Sequence, residues 1–117
     1  MIHYKMKKLL LIIILMLSCV FVNAQESVVI PNIFTPNNDG VNDIFYVKST
    51  GYNTLTCTIF NRYGDVVYQY FGLNGNWDGY THAGIKCNDG TYFVIVNVTN
   101  DAGEITTYQG TLQLAGN

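Results

Sequence analysis

Residues 30–45 read IPNIFTPNNDGVNDIF, and they contain both prolines of the chain, Pro31 and Pro36. These prolines flank a short apolar segment. A dense run of Asn, Asp and Gly follows, and Ile44 and Phe45 then begin a second apolar segment. Proline fixes the backbone and lacks an N–H donor, whereas Asn, Asp and Gly favour turns. This order predicts a rigid, oxygen-rich turn at the entrance to a β-domain.

The sequence after residue 24 has the periodicity of strands rather than of helices. Short runs of β-branched and aromatic residues alternate with Gly, Asn and Asp, without a sustained 3.6-residue apolar period. We therefore predict an all-β fold, a small immunoglobulin-like antiparallel β-sandwich of six or seven strands. The predicted strands are Val28–Phe34, Ile44–Lys48, Leu55–Asn61, Val66–Phe71, Gly90–Thr99 and Glu104–Leu114.

The connections between these strands differ in length. The run 92–98, YFVIVNV, is apolar on both faces at its start, which favours a place in the middle of a sheet. Residues 100–103 form a turn of hairpin length after it, and residues 61–65 form a second short turn. Residues 72–90 contain five glycines and predict a long loop that is pinned by Trp77.

The first 24 residues have the pattern of a secretory signal peptide. Three lysines precede the apolar run Leu9–Leu17, and Val22-Asn23-Ala24 offers a cleavage site. A run of this length is too short to span a bilayer, which needs about 20 residues. We predict a signal peptide at 1–24 and one domain at 25–117, with no transmembrane helix in the mature form. A lipoprotein site at Cys19 and an uncleaved anchor are the alternatives.

The mature chain has few charged residues. Its three cations, Lys48, Arg62 and Lys86, face eight carboxylates, which leaves a net charge of −5. Such a surface repels phosphate backbones, so it argues against a nucleic-acid partner. Low charge and many aromatic residues suit an extracellular β-protein better than a cytosolic helical one.

Two cysteines, Cys57 and Cys87, remain after the predicted cleavage. In an oxidising compartment they could form a disulfide, worth about 3–4 kcal/mol in the chain-entropy model. The alternative is a pair of small buried thiols that never meet. The sequence leaves both possibilities open, because it does not give the distance between the two Cα atoms.

The residues do not predict an enzyme. The mature chain has one histidine, His82, and catalysis by a nucleophile needs a base within reach and usually a third group to orient it. The carboxylates lie in turn-like segments, where interactions with the backbone account for them. We therefore expect no catalytic residues.

The segment 37–43 could hold a metal ion. It carries five amide or carboxylate side chains around Gly40, and Ca²⁺ prefers six to eight oxygen ligands of this kind. Asp39 and Asp43 are the first-choice ligands, with Asn37 and Asn42 in support. The alternative is a pair of Asx-turns held by hydrogen bonds from side chain to backbone.

Four residues are candidates for recognition of a partner. Arg62 and Tyr63 lie in the predicted turn 61–65, and Trp77 and Asp78 lie in the long loop. An exposed Trp77 could stack on a sugar, or the indole could fold back and cap the core of the sandwich. Arg62 could contact a partner, or it could be a solvated side chain whose stem packs on Tyr63 or Trp77.

Five blocks occur in a characteristic order: PNIFTPNNDGVNDIF (31–45), IFNRYGDVVY (59–68), WDG (77–79), DGTYF (89–93) and GTLQL (110–114). In this order they resemble the gliding-motility-associated C-terminal domain, the type B sorting domain of the Bacteroidetes type IX secretion system. The resemblance covers residues 28–114. The family often has Gly where this chain has Asn38, and Trp where it has Tyr63. Both changes keep the turn or aromatic character.

The resemblance implies a non-enzymatic secretion-targeting module that is read by the type IX outer-membrane machinery. The signal peptide would take the protein to the periplasm, and the folded domain would direct it to the cell surface or the medium. In this family the domain usually follows a much larger adhesin or enzyme. Here the sequence fits a free-standing domain, a piece of a longer gene or a small protein that is its own cargo.

An alternative from another class is a small secreted adhesive or carbohydrate-binding β-sandwich. Its platform would be Trp77 with neighbouring tyrosines. A targeting module should transfer export to an unrelated protein, whereas a binding module should keep its ligand affinity in isolation. The sequence does not give the oligomeric state.

Overall fold

The computed structural model describes residues 25–116, and in this range the chain forms strands and connecting segments without a helix. The all-β prediction of six or seven strands is therefore confirmed. The predicted signal peptide at 1–24 lies outside the described residues. The strands are β1 (Ser27–Val29), β2 (Ile33–Phe34), β3 (Lys48–Thr50), β4 (Thr54–Phe60), β5 (Val66–Phe71), β6 (Gly90–Thr99) and β7 (Ile105–Leu114).

Two sheets are present, one of five strands in the order β2-β7-β6-β4-β5 and one of two strands, β1-β3. The central position predicted for the run 92–98 is confirmed, because β6 pairs with β4 on one side and β7 on the other. Val94, Val96 and Val98 point to the buried face, and the residues between them are more exposed. This alternation follows from the two-residue period of a strand.

One pair of strands is parallel, although the sequence predicts an antiparallel sandwich. Ile33 and Phe34 of β2 lie opposite Gln113 and Leu114 at the end of β7. Gln113 N–H donates to the carbonyl of Asn32 at 2.9 Å. The start and the end of the described chain are therefore neighbours in the five-stranded sheet.

The first predicted strand, Val28–Phe34, is divided into two. β1 pairs with β3 in the small sheet, whereas β2 pairs with β7 in the large one. Pro31 lies between them and has no N–H to contribute to a ladder. The break therefore follows from the proline, and it lets one short segment join both sheets.

The second predicted strand, Ile44–Lys48, is wrong over most of its length. Phe45 makes an isolated bridge with Trp77, and the continuous strand begins at Lys48. Phe45 and Val47 are nevertheless buried, and Val47 N–H donates to the buried Tyr70 hydroxyl at 3.2 Å. The alternating apolar pattern reports this burial and not the pairing of a strand.

Trp77 lies at the centre of the core with no exposed surface. Its ring centroid is 5.5 Å from that of Phe34 and 5.7 Å from that of Tyr92. The indole N–H donates to the carbonyl of Tyr80 at 2.8 Å, which satisfies its only polar group. The long loop thus contributes the largest side chain of the core.

Between residues 25 and 116 the chain contains no helix that is long and apolar enough to cross a membrane.

Candidate functional site

The turn 61–65, between β4 and β5, is held by a set of short-range hydrogen bonds. The side-chain oxygen of Asn61 accepts the N–H groups of Tyr63 and Asp65, each at 3.0 Å. Asn61 N–H donates to the carbonyl of Asp65 at 2.9 Å, and Gly64 N–H donates to the carbonyl of Asn61 at 3.0 Å. Gly64 has φ of 86°, a conformation that glycine adopts without strain. The turn is therefore a rigid support for the two side chains at its tip.

Those two side chains are Arg62 and Tyr63, which contact each other in solvent. The guanidinium of Arg62 lies 5.0 Å from the centre of the Tyr63 ring. One of its nitrogens, Nη2, donates to the Tyr63 hydroxyl at 3.0 Å. Tyr63 is 75% exposed, the most exposed aromatic side chain among the described residues. The cation and the ring thus hold each other at an accessible position.

A cleft of about 290 Å³ opens beside this turn. The turn residues 61–63 line one part of it, and residues 86–91 line another. Lys86 and Asp89 bring charges of opposite sign to the same cleft. Tyr92, which also lines it, donates its hydroxyl proton to the carbonyl of Asn88 at 2.6 Å and so fastens the second segment. We call this space the Arg62 cleft.

The sequence did not single out Lys86 as a recognition residue. Its position in the Arg62 cleft depends on the path of the loop 72–90, which has little regular structure. The sequence offered one signal for Lys86, namely that cations are rare. Arg62 and Lys86 are two of only three after residue 24. In a chain so poor in positive charge, two cations at one cleft distinguish this part of the surface.

The other two recognition candidates do not join this site. Trp77 is fully buried, so the prediction of an exposed recognition role for it is wrong, and its indole face is not available to a sugar. Asp78 is exposed, but its carboxylate accepts the N–H of Tyr80 at 3.1 Å as part of a local turn. Neither residue lines the Arg62 cleft.

His82, the histidine of the mature sequence, packs beside β5. Its ring stacks on Tyr68 with the centroids 4.3 Å apart and the planes inclined by 14°. Its Nε2 accepts the backbone N–H of Gln69 at 3.1 Å. His82 therefore covers one polar group on the edge of the sheet, which is a structural role.

The segment 37–43 forms consecutive Asx-turns. Asn37 Oδ1 accepts the N–H of Asp39 at 3.2 Å, and Asp39 Oδ1 accepts the N–H of Val41 at 2.8 Å. Asp43 Oδ2 accepts the N–H of Gly40 at 2.7 Å. Three of the predicted calcium ligands thus bind backbone groups of their own loop. Asn42 has a positive φ of 53° and contributes a carbonyl that accepts the N–H of Thr35.

Calcium binding by this loop stays a prediction. Within residues 25–116 no group of three or more His, Cys, Asp or Glu side chains is close enough to hold a metal ion, although a calcium site can also use amides and carbonyls. The second oxygen of Asp43, Oδ1, is buried without a hydrogen-bond partner.

If the loop binds Ca²⁺, 1 mM CaCl₂ should raise the melting temperature of purified residues 25–117 by about 7 °C relative to EDTA. This estimate assumes a concentration tenfold above Kd, which stabilises the folded state by about 1.4 kcal/mol through mass action. Differential scanning calorimetry measures the shift, and Asp43→Asn is the control that should abolish it. Equal melting temperatures in calcium and EDTA would leave the Asx-turns as the whole explanation.

The predicted disulfide between Cys57 and Cys87 is not present in the structure. Cys57 lies opposite Val96 on β6, whereas Cys87 contacts Tyr92, four residues away on the same strand. The two sulfur atoms are not bonded to each other. Both side chains are buried, as in the alternative interpretation of two thiols.

Burial raises the pKa of the Cys57 thiol from 9.0 to about 11, and a hydrogen bond with Tyr70 opposes this shift. The folded state therefore favours the protonated thiol. The stabilisation is complete below the unfolded pKa of 9.0 and is lost as the pH rises through about 11. Burial raises the pKa of Tyr70 as well, so its stabilising contribution begins to fall above the ordinary pKa of 10.0 and continues to fall at higher pH than that of Cys57.

We therefore expect the Cys57 thiol to account for about 2 kcal/mol of the fall in the free energy of unfolding between pH 8.5 and 11. Urea titrations at half-unit pH intervals measure this fall. Cys57→Ala is the matched variant, and its stability should decline less over the same range. A parallel decline in both proteins would show that the Cys57 thiol is not its source.

The turn 100–104, between β6 and β7, repeats the hydrogen bonds of the turn 61–65. Asn100 Oδ1 accepts the N–H groups of Ala102 and Glu104, each at 3.0 Å. Gly103 N–H donates to the carbonyl of Asn100 at 3.0 Å, and Gly103 has φ of 79°. The two turns lie at opposite ends of β4, since Thr54 pairs with Thr99 and Phe60 with Phe93.

The fold as a whole is similar to a solved β-structure. The crystal structure of CopC from Methylosinus trichosporium OB3b superimposes with a TM-score of 0.53 at 13% sequence identity. The match covers 77% of this chain and 93% of CopC. At this identity the likeness concerns the fold alone. A comparison with curated protein sequences finds no significant match.

A comparison of the sequence with models of protein families identifies the family of this chain. The model of the CHU_C type IX secretion signal domain matches residues 28–114, which include the Asx-turn loop, the turn 61–65 and the cleft-lining segment 86–91. The chain belongs to this family. The resemblance predicted from the five sequence blocks is thereby confirmed.

Proposed function

We propose that this protein is a non-enzymatic secretion-targeting module that directs export across the outer membrane by the type IX secretion system. The observation that carries the proposal is the family match over residues 28–114, nearly the whole of the described sandwich. The destination is the cell surface or the medium. Residues 1–24 supply the signal peptide for the earlier step into the periplasm.

The signal is a folded surface rather than an extended peptide. The residues matched by the family model include both sides of the core, among them Phe34, Trp77 and Leu112, which are 1% exposed or less. Side chains at these buried positions cannot contact a partner in the folded domain. The machinery therefore recognises the side chains that this core positions on the surface, and its outer-membrane component is the partner.

An export assay tests the proposal. A fluorescent reporter is inserted between Ala24 and Gln25, so that the chain keeps its own first residues and its whole domain. The gene is expressed in a bacterium with a working type IX system and in the same strain with that system inactivated. We expect the reporter on the surface or in the medium of the competent strain, and in the periplasm of the other.

Two controls accompany this assay. The reporter behind residues 1–24 alone should stay in the periplasm of both strains, which shows that the domain is required. Periplasmic β-lactamase measured in the medium reports cell lysis. Retention of the complete protein in the periplasm of the competent strain would contradict the proposed function and favour an adhesive or carbohydrate-binding sandwich.

A further inference from the structure

The two equivalent turns show which residues the turn geometry requires. Both have Asn at the first position, Gly with positive φ at the fourth and an acidic residue at the fifth. Both use the first Asn side chain to accept two backbone N–H groups. The two middle positions are Asp101 and Ala102 in one turn, but Arg62 and Tyr63 in the other. The conformation of the turn therefore does not require an arginine and an aromatic ring.

Packing does not require them either. Tyr63 is 75% exposed, and Arg62 is also exposed, so neither side chain contributes to the core. Their mutual contact holds both in a defined arrangement in the unbound protein. Such preorganisation lowers the entropy that a side chain loses on binding, and Arg and Tyr are enriched among residues that dominate binding energies.

Charge is unevenly distributed between the cleft and the rest of the domain. Among the described residues that line the Arg62 cleft, Arg62 and Lys86 are positive and Asp89 is negative, which gives the lining a net charge of +1. The remainder of residues 25–117 has one cation, Lys48, and seven carboxylates, a net charge of −6. The cleft is thus a local positive site on a negative protein.

We propose that the Arg62 cleft binds a carboxylate-bearing peptide segment of the secretion-machinery component that reads this domain. Arg62 would bind the carboxylate through two parallel N–H groups, the geometry that a guanidinium favours, and Lys86 would add a second positive charge. The exposed ring of Tyr63 contributes apolar contact beside the ion pair. This inference rests on the proposed function. It assigns the part of the domain that the secretion machinery binds.

A carboxylate fits this surface better than a phosphate or an anionic membrane does. A phosphate-rich partner brings many charges close together, and the −6 of the surrounding domain repels them. A side-chain carboxylate brings a single charge to the cleft that Arg62 and Lys86 both line.

The export assay with the reporter between Ala24 and Gln25 tests this inference. The variant Arg62→Gln/Lys86→Gln should lower the exported fraction at least tenfold in the competent strain. The variant Arg62→Asp/Tyr63→Ala gives the turn the middle residues of its counterpart at 100–104 and should do the same. Arg62→Lys retains the charge without the planar fork and should export at an intermediate level.

Lys48→Gln is the matched control, because Lys48 also lies over an aromatic ring, 5.8 Å from the centre of Tyr46, but does not line the cleft. Its export should stay within twofold of the unsubstituted protein. Melting temperatures of the purified variants, all within about 3 °C of the parent, establish that the surface substitutions leave the fold intact.

The outcomes separate the two proposals. If the unsubstituted protein is exported and the double variants are exported equally well, the cleft inference is overturned and the targeting function stands. A fall in export with Lys48→Gln as large as with the double variant also overturns the inference, because net charge alone would then explain it. If the unsubstituted protein is not exported, the targeting function itself fails.

A binding measurement tests the chemistry of the ligand. Purified protein is titrated with a capped peptide that carries one glutamate among glycines, with inorganic phosphate and with phosphatidylglycerol vesicles. Backbone amide signals are followed by NMR, and vesicle binding is followed by co-sedimentation. We expect the peptide to shift the signals of residues 61–65 and 86–91, and the Arg62→Gln/Lys86→Gln variant to lose this shift. No peptide binding at millimolar concentration, or tighter binding of phosphate or vesicles, would overturn the carboxylate assignment.

Discussion

Trp77→Ala should reduce the free energy of unfolding by about 3–5 kcal/mol, the usual cost of removing a large buried aromatic side chain. Trp77 has no exposed surface and contacts the rings of Phe34, Tyr68 and Tyr92. Its loss also leaves the carbonyl of Tyr80 without the indole N–H. Since domains of this size have total stabilities of about 5–15 kcal/mol, this loss is a large fraction of the total.

Urea denaturation followed by far-ultraviolet circular dichroism measures this loss, because the substitution removes the only tryptophan of the chain. Tyr63→Ala is the matched control, and removal of this exposed ring should change the stability by less than about 0.5 kcal/mol. Trp77→Phe keeps part of the packing and should lie between the two. A loss below 1 kcal/mol for Trp77→Ala would mean that the indole does not fill the core.

Gly75→Ala should reduce the free energy of unfolding by roughly 3–4 kcal/mol, an unusually large effect for one added methyl group. A Cβ at this position would overlap the ring of Tyr70, coming within 2.8 Å of Cε2 and still closer to Cδ2. Tyr70 is only 6% exposed, and its hydroxyl accepts the N–H of Val47. Displacement of the ring therefore adds an overpacking cost of about 1–3 kcal/mol to the cost of an unsatisfied buried N–H.

A double-mutant cycle identifies the clash as the cause. In a Tyr70→Ala background the ring is absent, so Gly75→Ala should cost less than 1 kcal/mol, and the two substitutions should couple strongly. Gly84→Ala provides a second comparison, because that glycine has a positive φ of 81° but open space around it. The same penalty for Gly75→Ala in both backgrounds would exclude Tyr70 as its source.

The strands that the sequence predicted accurately share one property. For β5 and β6 the predicted bounds, Val66–Phe71 and Gly90–Thr99, coincide with the observed ones. In both cases a glycine-containing turn adjoins an apolar run, and each strand pairs with a neighbour close in the chain. Local patterns are sufficient where the pairing partner is also local.

The prediction failed where apolar side chains are buried without a ladder. Phe45 and Val47 alternate as strand residues do, yet only Phe45 makes a bridge, to Trp77. Hydrophobic periodicity indicates which side chains are buried. It does not indicate which strand the backbone pairs with. The parallel pairing of β2 with β7 escaped prediction for a related reason, since Ile33 and Gln113 are 80 positions apart.

The candidate site was only partly predictable. Arg62 and Tyr63 stood out because they occupy the tip of a recognisable turn, but Lys86 reaches the cleft through an irregular loop. The spacing Asn-x-x-Gly-Asp/Glu occurs at both 61–65 and 100–104 in the sequence. This repeated spacing was a usable signal for the equivalence of the two turns. Whether Cys57 and Cys87 form a disulfide, by contrast, could not be predicted, because it depends on the path of the loop 72–90 that carries Cys87.

The pairing of β7 with β6 makes one wall of the Arg62 cleft depend on the end of the domain. Gly90 and Thr91, which line the cleft, pair with Leu114 and Gln113 of β7, and Thr91 accepts a hydrogen bond from the Gln113 side chain at 2.7 Å. Residues 113 and 114 are synthesised after the other strands of the sheet. β2 pairs with the same two residues, so it also joins the sheet only after they are made. Chains that stop short of residue 113 leave this wall of the cleft unsupported. The wall of the cleft formed by residues 90–91 is therefore complete only after β7 has been synthesised and has paired with β6.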